Sequence, residues 1–155
     1  MLEKLEDPEI QSVVKREGLV SANKGEVLFL RSWAFVRLWD LFRKAPIQNK
    51  RIRNISDAIL PPSKDFEMLD QAIKDLELAA TLLPDASYWN EASEKGRVFK
   101  ESAYGMLVKC YTLRARYNNK NTDDYKKAIA AFEKIKSRKL VPFNNNFDYH
   151  FENNE

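Results

Sequence analysis

The residues able to do chemistry are few and far apart. Cys110 and His150 are the only thiol and the only imidazole in the chain of 155 residues, and cysteine–histidine chemistry needs the two side by side. Cys110 falls on an apolar stripe, so a buried structural thiol is expected; without a second cysteine it leaves the redox compartment unread. Asp123 and Asp124 are adjacent carboxylates just after Thr122, at a predicted helix start where the macrodipole stabilises them, which accounts for them without acid–base work. No metal-ligand spacing, glycine-rich phosphate loop or nucleophile elbow occurs. The expectation is a protein that is not an enzyme, with no catalytic residue, no metal and no cofactor.

Binding has more to work with. Tyr88 and Trp89 sit in a polar loop with Pro84, Asn90 and Glu91, where a large aromatic pair has little structural reason to be. They are the expected ligand-contact residues, with the opposing reading that the loop folds back onto its own helices. Trp33, Phe35, Trp39 and Phe42 are also aromatic, but their helical spacing on an apolar segment assigns them to the core. Arg31 and Asp75 are charges in apolar surroundings, so they are predicted to pair. The densest basic run, Lys50-Arg51-Ile52-Arg53, is short and reads as a solvated loop. With 26 basic and 23 acidic residues interleaved and a net charge of +3, no field strong enough to recruit nucleic acid is expected.

The elements that carry these residues are helices. The length fits one domain. A first long helix is predicted from Ser21 or Asn23 to about Arg43, with Asn23 and Glu26 read as a capping box and Ala45-Pro46 as the stop. Between Val27 and Phe42 it is apolar on nearly every side, so it needs several neighbours to cover it. Arg31, Arg37 and Asp40 within that stretch exclude a membrane span, and the charged start Met1 to Pro8 is no secretory signal. A second helix is predicted from about Ser63, as N-cap, to Leu83, burying Phe66, Leu69, Ile73, Leu76, Ala80 and Leu83. A third is predicted over about Val98 to Arg116, and a fourth from Thr122, as N-cap, to about Arg138. The fourth is expected to bury Tyr125, Ala128, Ile129, Phe132 and Ile135. Leu140 to Glu155 has no helical period and reads as an irregular tail.

The two halves repeat. Ala34, Phe35, Leu38 and Phe42 align with Ala103, Tyr104, Leu107 and Tyr111, and Ala72 to Glu77 align with Ala128 to Glu133. Small residues let antiparallel partners approach while the aromatic one turn on fills the groove beside them. The expected fold is therefore all-α, built of tetratricopeptide-like antiparallel helix pairs at about 21–84 and 97–139 in one domain. Two pairs fall short of a self-sufficient solenoid, so a further layer is expected against them.

Certain blocks point to a family. Phe29-Leu30-Arg31-Ser32-Trp33-Ala34-Phe35, Leu38-Trp39-Asp40-Leu41-Phe42 and Ala45-Pro46 resemble the "FLRA…L…LFG.AP" block of SusD/RagB nutrient-binding proteins. Ile73 to Glu77 with Leu82-Leu83-Pro84 is similar to its "I..DL..A...LP" helix, Gly96-Arg97-Val98 with Lys100 to the start of its next helix, and Asn144 to Phe151 to its "nY..LF" tail. Arg43 stands where the family has glycine, and Ser32, Trp33 and Ser102 are further departures.

The resemblance implies a SusD-like α–α superhelix and a part in glycan uptake at the outer membrane, with a SusC-like TonB-dependent transporter and an oligosaccharide as partners. It also implies a fragment or reduced homologue, holding the helical core without the lipid anchor and without the region that usually carries glycan-stacking aromatics. The other function class left open is a free-standing tetratricopeptide-type scaffold that binds a protein or peptide partner in its groove.

Overall fold

The computed structural model describes residues 2–5, 7–89 and 92–136; the expected irregular tail, with His150, lies outside them. Every α-helix or 3₁₀ turn in that range belongs to one run of elements, and no strand occurs among the described residues. Two short helices, α1 (Leu2–Leu5) and α2 (Pro8–Val13), precede four long ones: α3 (Leu19–Phe42), α4 (Glu67–Leu82), α5 (Lys100–Tyr117) and α6 (Thr122–Glu133). Each long helix packs on the next, α3 on α4, α4 on α5 and α5 on α6, while α1 touches α3. This is the stacked-pair arrangement that the repeat calls for.

The middle helices explain themselves. α4 lies between α3 and α5 and buries Met68, Leu69, Ala72, Ile73, Leu76, Ala79 and Ala80, a face wide enough for two neighbours. Ala72, Ala79 and Ala103 are fully buried, marking where backbones come close. A close approach also occurs at Gly25 of α3, where an added Cβ would sit 2.8 Å from Leu83 Cγ and 3.2 Å from its backbone nitrogen. A helical Gly→Ala change ordinarily gains up to about 1 kcal/mol. Here overpacking against backbone reverses the sign, and Gly25→Ala is expected to lose about 1–3 kcal/mol of unfolding free energy, read as a lower urea midpoint; an unchanged or raised midpoint would refute the close contact.

Three expected helix starts are corrected. α3 begins at Leu19, after Gly18 at φ +75°, because Asn23 and Glu26 do not cap it; they spend their side chains on Arg97. α4 begins at Glu67 rather than beside Ser63, whose backbone N–H donates to Ala45 O at 3.2 Å and so ties the loop to the end of α3. For α6 the cap is Asn121, whose Oδ1 accepts from the N–H groups of Asp123 and Asp124 at 2.9 and 3.3 Å.

The buried face of α6 also differs from expectation. Ala128 and Ala131 bury against α5, whereas Tyr125, Ile129 and Phe132 stay exposed, Ile129 at 62%. Two lines run side by side on this helix, Asp124, Ala128 and Ala131 beside Tyr125, Ile129 and Phe132, each advancing by four and three residues. The alanine line permits the tighter helix approach, so it wins the inner position. α3 likewise leaves Leu30, Trp33 and Leu41 exposed on its outer side, and Phe42 exposed at its end. At its end Arg43 takes φ 59°, the left-handed region that favours glycine, and its guanidinium lies 4.3 Å from the ring centroids of both Trp39 and Tyr117. Cation–π contact offsets the backbone cost.

Cys110 is fully buried in α5, as its place on the apolar stripe required, and desolvation pushes its thiol from 9.0 up to about 12. The Tyr111 hydroxyl is raised too, first by burial and then by its hydrogen bond to Glu77. Between about pH 9 and 12 the unfolded chain thus releases protons that these two folded groups keep, so their contribution to stability is complete below pH 9 and is lost as pH rises. Denaturant melts at pH 8 to 11 are expected to show this decline, with a shallower slope in Cys110→Ala. Equal slopes would rule the thiol out as a contributor.

Candidate functional site

The loop between α4 and α5 carries the expected ligand residues, and its ends are fixed first. Pro84 cannot extend α4, and its carbonyl instead accepts from the Lys100 N–H at 2.9 Å, closing the loop at its neck. Within it a 3₁₀ turn, Ala86–Tyr88, presents Tyr88 and Trp89 edge to face, with ring centroids 4.8 Å apart at 81°. Both polar handles turn inward: Tyr88 Oη donates to Glu17 O at 2.7 Å, and Trp89 Nε1 donates to Val98 O at 2.9 Å.

Two arginines grip this pair. The Arg16 guanidinium lies 4.1 Å from the Tyr88 ring centroid, donates to Tyr88 O at 2.5 Å and pairs with Glu94. Arg97 lies 4.1 Å from the Trp89 centroid. Its Nε donates to Glu26 Oε1 at 2.8 Å and its Nη2 to Asn23 Oδ1 at 2.6 Å, while Val98 N–H reaches the same Glu26 oxygen at 2.9 Å. The Glu26 hydrogen bond is the chief cause that holds the Arg97 pKa above its ordinary value. The loop is therefore clasped to the start of α3 from both sides, with Tyr88 and Trp89 half-buried between guanidinium groups.

Arg16, Glu26, Asn23 and Arg97 went unread as a group. The signal was present in part, since Asn23 and Glu26 lie three residues apart on one helix face; local capping was the nearer explanation of that spacing.

The predicted Arg31–Asp75 pair exists between α3 and α4. Arg31 Nε and Nη2 meet the two carboxylate oxygens at 2.6 and 2.7 Å, and Gln71 Nε2 adds a third bond at 2.9 Å. Asp75 is buried and fully partnered, which is how a carboxylate is tolerated in a core. Among the described residues no cluster of His, Cys, Asp and Glu is arranged to hold a metal ion, and no helix is long and apolar enough to cross a membrane.

Stacked antiparallel pairs of this kind define an α–α superhelix of tetratricopeptide-like type. Residues 1–112 match the SusD-like family model described as starch-binding and associating with the outer membrane. The chain belongs to the SusD/RagB family. Its fold is similar to a SusD homologue of Bacteroides thetaiotaomicron, with TM-score 0.78 and 19% identity over 97% of this chain and 28% of that one. A laminarin-binding SusD-like protein superposes with TM-score 0.76 at 21% identity, covering 97% of this chain and 30% of the relative. For a SusD-like carbohydrate-binding protein of Bacteroides fragilis the values are 0.71 and 21%, over 86% and 24%. At these identities the likeness is one of fold, and the chain spans only about 24–30% of these relatives' length. No curated protein matches the sequence.

Proposed function

We propose that this chain is the non-catalytic helical core of a glycan-uptake protein at the outer membrane, docking a SusC-like TonB-dependent transporter while the larger protein holds an oligosaccharide. Family membership supports the glycan role, because solved relatives are described as carbohydrate-binding and laminarin-binding. The observation that carries the docking role is the outer face of α3, where Leu30, Trp33 and Leu41 remain exposed on a helix firmly seated by its other side. Co-purification of the full-length gene product with a SusC-like transporter from the same genome tests this. A Leu30→Ser/Leu41→Ser variant is expected to reduce recovery at least tenfold with unchanged helix content; recovery equal to that of the parent would remove α3 as the docking face.

Ligand contact by Tyr88 and Trp89 belongs to the same proposal, through the ring edges their clasp leaves accessible. Trp89→Ala is expected to weaken retention on a laminarin affinity gel at least fivefold, and unaltered mobility would dismiss the contact. A second reading, a tetratricopeptide-type scaffold for a peptide or protein partner, is favoured by an apolar cleft of about 260 Å³ that Val108, Thr112, Tyr125, Ile129 and Phe132 line on α5 and α6.

A further inference from the structure

The loop that follows α3 brings together cations that no contact described so far uses. A cavity of about 470 Å³ opens beside α3, ringed by Lys4, Arg31, Lys50 and Arg51 together with the amides of Gln48 and Asn49. Leu2 and Val27 supply its apolar wall. A neighbouring cavity of about 560 Å³ shares Gln48 to Arg51 and adds Arg53. Both volumes fall in the range of about 300–1,000 Å³ typical of ligand pockets.

Most of the positive charge in these cavities has no ion-pair partner among the described residues. Arg31 is committed to Asp75, but Lys4, Lys50, Arg51 and Arg53 make no side-chain ion pair among the described residues. Among the described residues that line either cavity Asp57 is the one carboxylate; its Oδ2 accepts from Arg53 N–H at 3.0 Å and Asn54 N–H at 3.1 Å, and its single charge offsets only part of the positive charge around it. A concave surface of one sign concentrates field and draws anions. The amides point to more than a simple anion. Gln48 Nε2 donates to Lys50 O at 2.6 Å and Asn49 Nδ2 to Gln71 Oε1 at 3.4 Å, which leaves the amide oxygens to accept from hydroxyl groups. Apolar walls, hydroxyl acceptors and exposed, unpaired cations in two adjoining chambers suit successive units of a charged sugar.

We propose that this twin cavity binds an acidic oligosaccharide, with Lys50 and Arg51 on its carboxylate or sulfate groups. The proposal rests on the glycan-uptake reading and adds to it a second site, separate from Tyr88 and Trp89, with its own class of sugar. Calorimetric titration of the 155-residue chain with trigalacturonate, maltotriose and sodium sulfate tests it. Saturable binding of trigalacturonate is expected, at least tenfold tighter than either other probe and weakening with added salt. Lys50→Gln/Arg51→Gln, two exposed loop changes, should weaken it at least tenfold without altering the thermal melt. Equal binding of maltotriose, sulfate as tight as trigalacturonate, no binding at all, or an unaffected double variant each overturns the site. Transporter co-purification is read independently, so loss of this site with retained docking leaves the uptake reading standing, while loss of docking with retained trigalacturonate binding does the reverse.

Discussion

Trp39→Ala is expected to lower the unfolding free energy by about 3–5 kcal/mol, the range for deleting a large aromatic from a packed core. Trp39 is 2% exposed. Its Nε1 donates to Asp65 O at 2.8 Å, and its ring meets Phe66 and Tyr117 at centroid distances of 6.1 and 5.3 Å. It joins the C-terminal part of α3 to the segment leading into α4 and to the end of α5. It also supports Arg43 in its left-handed conformation, so its removal exposes that backbone cost as well. Trp39→Phe keeps much of the packing but gives up the hydrogen bond, and should lose less. Urea denaturation followed by circular dichroism measures both, and a loss under about 1 kcal/mol for the alanine variant would mean the site collapses around the gap.

Arg114→Leu should cost about 3 kcal/mol, because it strands a buried carboxylate. From α5, Arg114 reaches α6 through Asp124, at 3.0 and 2.5 Å, and α4 through Asp70 at 2.5 Å. Asp124 is only 5% exposed. Its hydrogen bond is the foremost cause keeping Arg114 protonated beyond the ordinary arginine range, so the guanidinium stays charged at any ordinary pH. The decisive comparison is Arg114→Leu/Asp124→Leu, which removes the orphaned charge along with its partner and should be less destabilising than the single change. A double variant worse than the single one would show that packing, rather than charge, governs the position.

What could be read from the residues, and what could not, divides along a physical line. Periodicity located four long helices and the buried face of α4, because a helix between two neighbours must be apolar over a wide arc. The same reasoning paired Arg31 with Asp75, since charges inside an apolar arc have few other fates. It failed on α6, where alanine and aromatic lines lie side by side and only the distance of approach decides between them. It also failed at helix starts: Asn23 and Glu26 have capping spacing but bind an arginine distant in sequence, and nothing local reveals that. Tyr88 and Trp89 were legible as an anomaly in a polar loop. The arginines that hold them were not, because Arg16 and Arg97 lie far apart in sequence, and the Gly96-Arg97-Val98 block spoke only of a family likeness.

The three tryptophans differ sharply in surroundings: Trp39 is enclosed, Trp89 is half-buried against Arg97, and Trp33 is 47% exposed on the outer side of α3. Each therefore emits from its own dielectric setting, and single-tryptophan variants would turn the molecule into its own optical probe. Trp33 would report a partner arriving on α3, Trp89 the release of the clasped loop, and Trp39 the loss of the core, so docking, local opening and global unfolding could be timed separately without any attached dye.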